Sequence, residues 1–506
     1  MAFNKRRALQ DNIIALQTAF TLESEGRPAS HHEMEQLRRY HGFGGLKFIL
    51  NAASKPEDIA AWPKADRSYF TLTNELYSLL KKHSKDDQDY KIKLDSMRSS
   101  VLSSFYTPPP LTKAIATAFL QHGIQLGNIL EPSAGVGVFL DAFAGQPNIQ
   151  TTAYEKDMLT GMILGQLHPS SRIHIKGFEE IPQRDHLSYD LVVGNIPFGE
   201  ASVFDLSYSR GKDITKKQAA QNISNYFFIK GADMLREGGI LAFISSQSLM
   251  NGKHNQPIRQ ALLGENNLIA AFRLPNNLFT DHAGTQVGSD LTILQRNSNK
   301  QSLNTKEQAF ITNTIGDHGE PTNAYFDDHA NIIHTQQKLG KDPYGRTAML
   351  YLRDGGVEAI AKDLLKGLSK ALSDNFKQDL YLATASTEIK TLGNDIQKPT
   401  NEIIKIEKLN KDIETNIHDS QPEKPKQLSI FDQHDSELPP NSKNPKSIAK
   451  AKLNRTQTSK KPSPALIQGN LFATAQDQRL STDISSTANA PQNTKNKQDN
   501  QVESKI

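Results

Sequence analysis

The chain has 506 residues, no cysteine, and 59 Lys and Arg against 55 Asp and Glu, a formal net charge of +4. Without cysteine there are no disulfides, no thiolate metal sites and no cysteine nucleophile, which removes cytosine-C5 methylation and fits a cytoplasmic protein. No apolar run approaches the roughly 18 residues of a membrane span, so no membrane association is expected.

Residues 1–381 carry 41 basic and 40 acidic side chains, so net charge does not argue for nucleic-acid binding. The basic start, Met1 to Arg7, is interrupted by Gln10, Asp11 and Gln17, and no signal peptide is expected.

Residues 1–96 read as a helical accessory domain. Ile13, Leu16 and Phe20 recur at helical spacing, and Ser30-His31-His32-Glu33 is a capping box opening a second helix. The two histidines lack partners at metal-ligand spacing and are expected in solvent; no metal site is expected. Gly42-Phe43-Gly44-Gly45 is a permissive loop or a helix C-cap.

Residues 97–297 alternate strand and helix, which predicts an α/β domain built on a doubly wound, Rossmann-like sheet. Strands are expected at Ile129-Leu130, Thr151 to Tyr154, Ile173 to Lys176, Leu191 to Val193 and Ile240 to Ser245. Leu268 to Leu274 and Asp290 to Gln295 form a terminal antiparallel hairpin. Such sheets bind ligands at strand carboxyl ends near the topological switch, where Glu131, Glu155, Glu179 and Asn195 all fall.

Four stretches carry the chemistry. Phe105-Tyr106-Thr107-Pro108 precedes the first strand. Glu131-Pro132-Ser133-Ala134-Gly135-Val136-Gly137 follows it, with Gly135 and Gly137 allowing close backbone approach to a ligand. Leu140 stands where a dinucleotide motif would have its third glycine. Glu155, about 20 positions on, can take two ribose hydroxyls. Asn195-Ile196-Pro197-Phe198 suits an exocyclic amino group on a planar ring: Asn195 and the Ile196 carbonyl accept its hydrogens and Phe198 stacks on the ring. The alternative is an ordinary strand exit with a core phenylalanine.

In this order the four stretches resemble an amino-group DNA methyltransferase of the gamma class, mostly adenine-N6 enzymes using S-adenosylmethionine. Gly42 to Leu46, and Phe272-Arg273-Leu274-Pro275-Asn276-Asn277-Leu278-Phe279 through Gly284-Thr285-Gln286, resemble methylase regions of proteins carried by conjugative elements and phages. The resemblance spans roughly residues 5 to 350 and departs from the usual Asn-Pro-Pro-Phe at Ile196. It implies S-adenosylmethionine held by Phe105, Tyr106, Thr107, Pro108, Glu131, Pro132, Gly135, Gly137 and Glu155. After strand 3, Glu179 would accept the cofactor's adenine N6 hydrogens and Phe178 pack on that ring; a surface acidic pair is the alternative. Asn195, Ile196, Pro197 and Phe198 would act on a flipped adenine, with Phe279 a second stacking candidate. The resemblance further implies a role in protecting mobile DNA from restriction. Cytosine-N4, RNA or protein-glutamine methylation, or a silent DNA-binding protein, are the alternatives.

Residues 201–224 form a basic insertion, expected either to clamp phosphates or to remain a solvated loop. Residues 298–381 are a C-terminal extension. Residues 382–506 have the composition of disorder. Two pentamers in that tail, Gln427-Leu428-Ser429-Ile430-Phe431 and Gln468-Gly469-Asn470-Leu471-Phe472, resemble the short motif that docks into the bacterial sliding clamp. The expected contacts are Gln427, Leu428, Ile430, Phe431, Gln468, Leu471 and Phe472.

Overall fold

Seven strands form one sheet in the order β3-β2-β1-β4-β5-β7-β6. They are β1 (Asn128–Glu131), β2 (Gln150–Tyr154), β3 (Arg172–His174), β4 (Tyr189–Asn195), β5 (Leu235–Ser246), β6 (Asn266–Leu274) and β7 (Ser289–Arg296). All neighbours pair in parallel except β7, which runs antiparallel to both β5 and β6. This is the doubly wound, Rossmann-like sheet expected from the sequence. Leu191 to Val193 and Ile240 to Ile244 are wholly buried, as continuous apolar runs must be in strands covered on both faces. The strand order reverses between β1 and β4, which sets Glu131 and Asn195 at the ends of adjacent strands.

The computed structural model describes residues 4–103, 106–280, 286–342 and 345–383. Phe105, Gly284, Thr285 and both clamp-like pentamers lie outside the described residues. Among the described residues, no helix is long and apolar enough to cross a membrane.

The N-terminal helices are α1 (Lys5–Glu25), α2 (His31–Leu37), α3 (Phe70–Lys82) and α4 (Asp87–Ser103). The Ser30–Glu33 capping box is formed as expected. Helix α4 runs straight through the boundary expected at residue 96. Helices α5 (Pro109–Gln121), α6 (Val138–Phe143) and α7 (Met158–Leu167) follow. Leu9, Leu16, Phe20, Phe43 and Trp62 share one apolar cluster with Leu159, Ile163 and Leu167 of α7. The helical region's apolar core therefore extends onto α7, one of the sheet's own helices.

After β4 come α8 (Leu206–Arg210), α9 (Ile214–Ala219) and α10 (Ile223–Met234). The C-terminal extension contains two hairpins, β8 (Asn313–Ile315) with β9 (Pro321–Asn323) and β10 (Gln336–Lys341) with β11 (Thr347–Leu352). A helix, Gly356–Asn375, closes it. That helix presents Ile360, Leu364, Leu368 and Leu372 at four-residue spacing, and they pack with Leu111, Ile115 and Phe119 of α5 and Ile269 and Phe272 of β6.

The stretch Phe272 to Phe279 has a structural task. Arg273 makes a two-pronged pair with Asp290 at 3.0 and 3.1 Å, both buried, and its guanidinium lies over Phe326. Asn276 exchanges backbone and side-chain bonds with Tyr351, which ties the second hairpin to the sheet. Phe279 is 0% exposed and packed in the core, so it offers no face to a base, contrary to expectation.

Candidate active site

The first half of the site is the turn after β1. Gly135 and Gly137 have φ of 56° and 82°, the left-handed region that disfavours any side chain. The space a Cβ would take at Gly135 is filled by the Tyr106 ring, 2.7 Å away, and at Gly137 by the His168 ring. The glycines thus admit two protein rings, a use the sequence did not suggest. His168 Nε2 donates to the Val136 carbonyl at 3.2 Å, and burial lowers its pKa, which keeps the ring neutral in that tautomer.

Two carboxylates face this turn. Glu155 accepts from Gly135 N at 2.8 Å through one oxygen and from Asp157 N at 2.7 Å through the other. Burial, reinforced by Asp157, pushes its pKa up to about 7. Glu131 is buried, accepts from the backbone N–H groups of Leu140 and Phe139, and is raised well above the carboxylate range by desolvation. Its Oε2, and the Oγ1 of buried Thr107, have no protein partner among the described residues. Buried polar atoms of this kind suit a ligand carrying hydroxyl and amino donors.

Tyr106 is itself held from behind. Its hydroxyl lies 3.4 Å from Thr160 Oγ1, and so does that of buried Tyr40. Asp157 caps α7 by accepting from Thr160 N at 2.7 Å and takes a bond from Ser96 at 2.6 Å. Ser96 and Tyr40 had no role in the sequence reading because their partners, Asp157 and Thr160, lie far along the chain.

After β3, Glu179 pairs with Lys156 at 2.7 Å, within reach of solvent. Phe178 departs from expectation. It is 1% exposed, its ring packs on Phe227 and Tyr226, and Lys230 lies over one face, so no face is open to a cofactor ring. An open cleft of about 390 Å³ lies beside Glu179, lined also by His186, Phe204, Leu206 and Lys230. It contains neither Glu131, Glu155 nor Asn195, and so adjoins the strand-end site without being it.

The second half is the loop after β4. Asn195 ends the strand in register with Ile244 of β5, and the Ile196 N–H donates to the Ile244 carbonyl at 2.9 Å. Ser133, in the glycine turn, donates to the Asn195 carbonyl at 3.0 Å. Ser224, at the start of α10, donates to the Pro197 carbonyl at 3.0 Å. Of the two carbonyls flanking Pro197, the one assigned no role is thus the one used structurally. The Ile196 side chain is buried, while Phe198 is half-buried against the core. Contacts at the ends of β1, β2 and β4 bring together Tyr106 against Gly135, Glu155 bonded to Gly135, and Glu131 and Pro132 beside Gly194, the residue before Asn195. Glu179 sits at the neighbouring strand end. Among the described residues, no three His, Asp or Glu side chains are grouped to hold a metal ion.

Residues 112–279 match the model of the Eco57I restriction-modification methylase family. The chain is 30% identical over 198 residues to the defense against restriction protein B of Escherichia phage P1, a match covering 38% of this chain and 8% of that protein. It is 28% identical over 175 residues to the type II methyltransferase M.HincII of Haemophilus influenzae, covering 34% of this chain and 33% of that one. The chain thus spans a third or less of the length of these relatives. Among solved structures, the type IIG restriction endonuclease BpuSI aligns with 60% of this chain and 39% of its own, at 16% identity and a TM-score of 0.34. Three of the four sequence stretches, those at Glu131 to Gly137, Glu155 and Asn195 to Phe198, fall within the family match, and Phe105 to Pro108 lies just ahead of it.

Proposed function

We propose that this chain is an S-adenosylmethionine-dependent DNA methyltransferase that modifies adenine at N6. The observation that carries the reading is the Ser133–Asn195 bond, which joins the glycine turn to the Asn-Ile-Pro-Phe loop across the switch point of the sheet. A cofactor in the turn and a base at the loop would meet there.

Bound S-adenosylmethionine supplies a methyl group on a sulfonium centre. Glu155 would accept the ribose hydroxyls, and Thr107 and Glu131 carry the buried atoms that fit its polar groups. The target amine is a weak nucleophile because its lone pair is delocalised into the ring. Asn195 and the Ile196 carbonyl accept the amine hydrogens and favour the geometry in which that lone pair is free to attack, which is catalysis by orientation and charge stabilisation. An adenine inside a duplex must first be flipped out, and Phe198 is the ring on which it would stack. The phage relative's printed name supports protection of DNA from restriction as the biological setting. The tail pentamers, by their motif, would tether the enzyme to the sliding clamp, which binding of tail peptides with and without Phe431→Ala and Phe472→Ala tests.

The decisive experiment is tritiated methyl transfer from S-adenosylmethionine to unmethylated DNA, RNA and protein in parallel, followed by sequencing of the DNA for modified bases. N6-methyladenine in DNA is expected. N4-methylcytosine, or label only in RNA or protein, would overturn the substrate assignment.

A further inference from the structure

The insertion after the catalytic loop is tied to α10 at several points, unlike the solvated loop that was one of its two expectations. It is neither a loose loop nor only a run of cations. Asp205 caps α8 by accepting from Ser207 N at 2.9 Å and, on its other oxygen, accepts from Tyr226 at 2.7 Å and from Lys230 at 2.8 Å. Tyr208 and Lys216 both reach Asp233 of α10, at 2.8 and 2.6 Å. The Val203 N–H donates to the Ala220 carbonyl at 2.8 Å, closing the insertion on itself. Burial works against the charge on Asp205, yet the bonds from Lys230, Ser207 and Tyr226 win and hold its carboxyl below the ordinary range, so the anchor stays charged.

On this anchored frame Phe204 is 78% exposed, the one exposed phenylalanine among the described residues. Leu206 and Ile214 are exposed with it, at 50% and 79%. Arg210, Lys212 and Lys217 are exposed too, against Glu200 and the helix-capping Asp213. Phe204 lies six residues beyond Phe198, so the chain can carry it at most about 20 Å from the target loop. An exposed aromatic ring on an anchored frame, six residues beyond Phe198 and on the same insertion as the exposed Arg210, Lys212 and Lys217, has the composition of an apolar wedge that enters a base stack while basic side chains hold the phosphates.

We propose that Phe204 is the wedge that enters the DNA stack when the target base leaves it, and that Arg210, Lys212 and Lys217 contact the flanking phosphates. This rests on the reading of the chain as a DNA methyltransferase and adds the residue that lowers the cost of base flipping.

The test uses the full chain and duplexes carrying the target sequence found by modified-base sequencing, either fully paired or with an abasic site opposite the target adenine. An unpaired adenine needs little help to flip. Phe204→Ala is expected to slow methylation of the paired duplex by about tenfold or more and to leave the abasic-paired duplex within about twofold of the unsubstituted chain. Phe204→Trp should retain the paired-duplex rate. Cofactor affinity and melting temperature should match the unsubstituted chain in both variants. Equal rates for Phe204→Ala and the unsubstituted chain on paired DNA, or equal losses on both duplexes, would overturn the wedge and leave the methyltransferase reading standing. An unsubstituted chain that methylates no DNA would overturn both.

Discussion

The ring of Tyr106 occupies the space that a side chain at Gly135 would need, its Cε1 2.7 Å from where a Cβ would stand. Gly135 also has φ of 56°. Gly135→Ala therefore meets both backbone strain of roughly 1–2 kcal/mol and a displaced ring. Calorimetry should show S-adenosylmethionine binding weakened by about tenfold, with a lower melting temperature. Removing the ring as well, in Gly135→Ala with Tyr106→Ala, should recover part of the lost stability, because the two residues share one space.

On the proposed function, Asn195→Ala should lower methyl-transfer turnover by about a hundredfold or more while leaving cofactor affinity within a few-fold, since the amide would serve the transition state at the β4 exit and not the glycine turn. Single-turnover rates and titration calorimetry separate the two. Parallel loss of both would move Asn195 into cofactor binding.

On the proposed function, Glu155 would make cofactor binding depend on pH. Its ionised form would accept the ribose hydroxyls, and burial has raised its pKa to about 7. Affinity for S-adenosylmethionine should rise as pH increases towards 7 and level off above it, and Glu155→Gln should flatten the profile at weak affinity. The stability sign is opposite. A folded pKa raised from 4.5 means that this group's contribution is fully present below pH 4.5 and is lost as pH rises through about 7. Denaturant titrations should find Glu155→Gln gaining on the unsubstituted chain across that interval.

Arg273→Met should destabilise the fold by about 3–5 kcal/mol, because it strands Asp290 with no cation in a fully buried site. Pairing it with Asp290→Asn should recover much of the loss. Urea denaturation of the single and double variants measures both.

Most of the sheet was legible because parallel strands covered on both faces must be continuous apolar runs, as Leu191 to Val193 and Ile240 to Ile244 are. The site stretches at Glu131, Glu155 and Asn195 were legible because each sits at a strand end. What escaped depends on partners distant in sequence. Asp205 and Asp213 each stood before a short helix and could have been read as caps, but the anchors Lys230 and Asp233 lie on another helix. The extension's fold hangs on pairs such as Asn276 with Tyr351, 75 residues apart, that no local periodicity announces. Phe178 and Phe279 were read as ring-stacking surfaces from their place in the resemblance and their residue type; burial is a property of the whole fold, and both went into the core.

The helix Gly356–Asn375 covers Ile269 and Phe272 and leans on α5, which leaves directly from Thr107 and Pro108. Tyr381, just beyond it, donates to the Gln125 carbonyl ahead of β1. During synthesis, then, the ribosome must release about 380 residues before the first strand's surroundings are complete. A chain stopped near residue 297 would carry every catalytic motif and still expose an apolar sheet face to solvent. Such a nascent chain keeps that apolar face uncovered until late in its own translation, the condition in which partly folded chains associate.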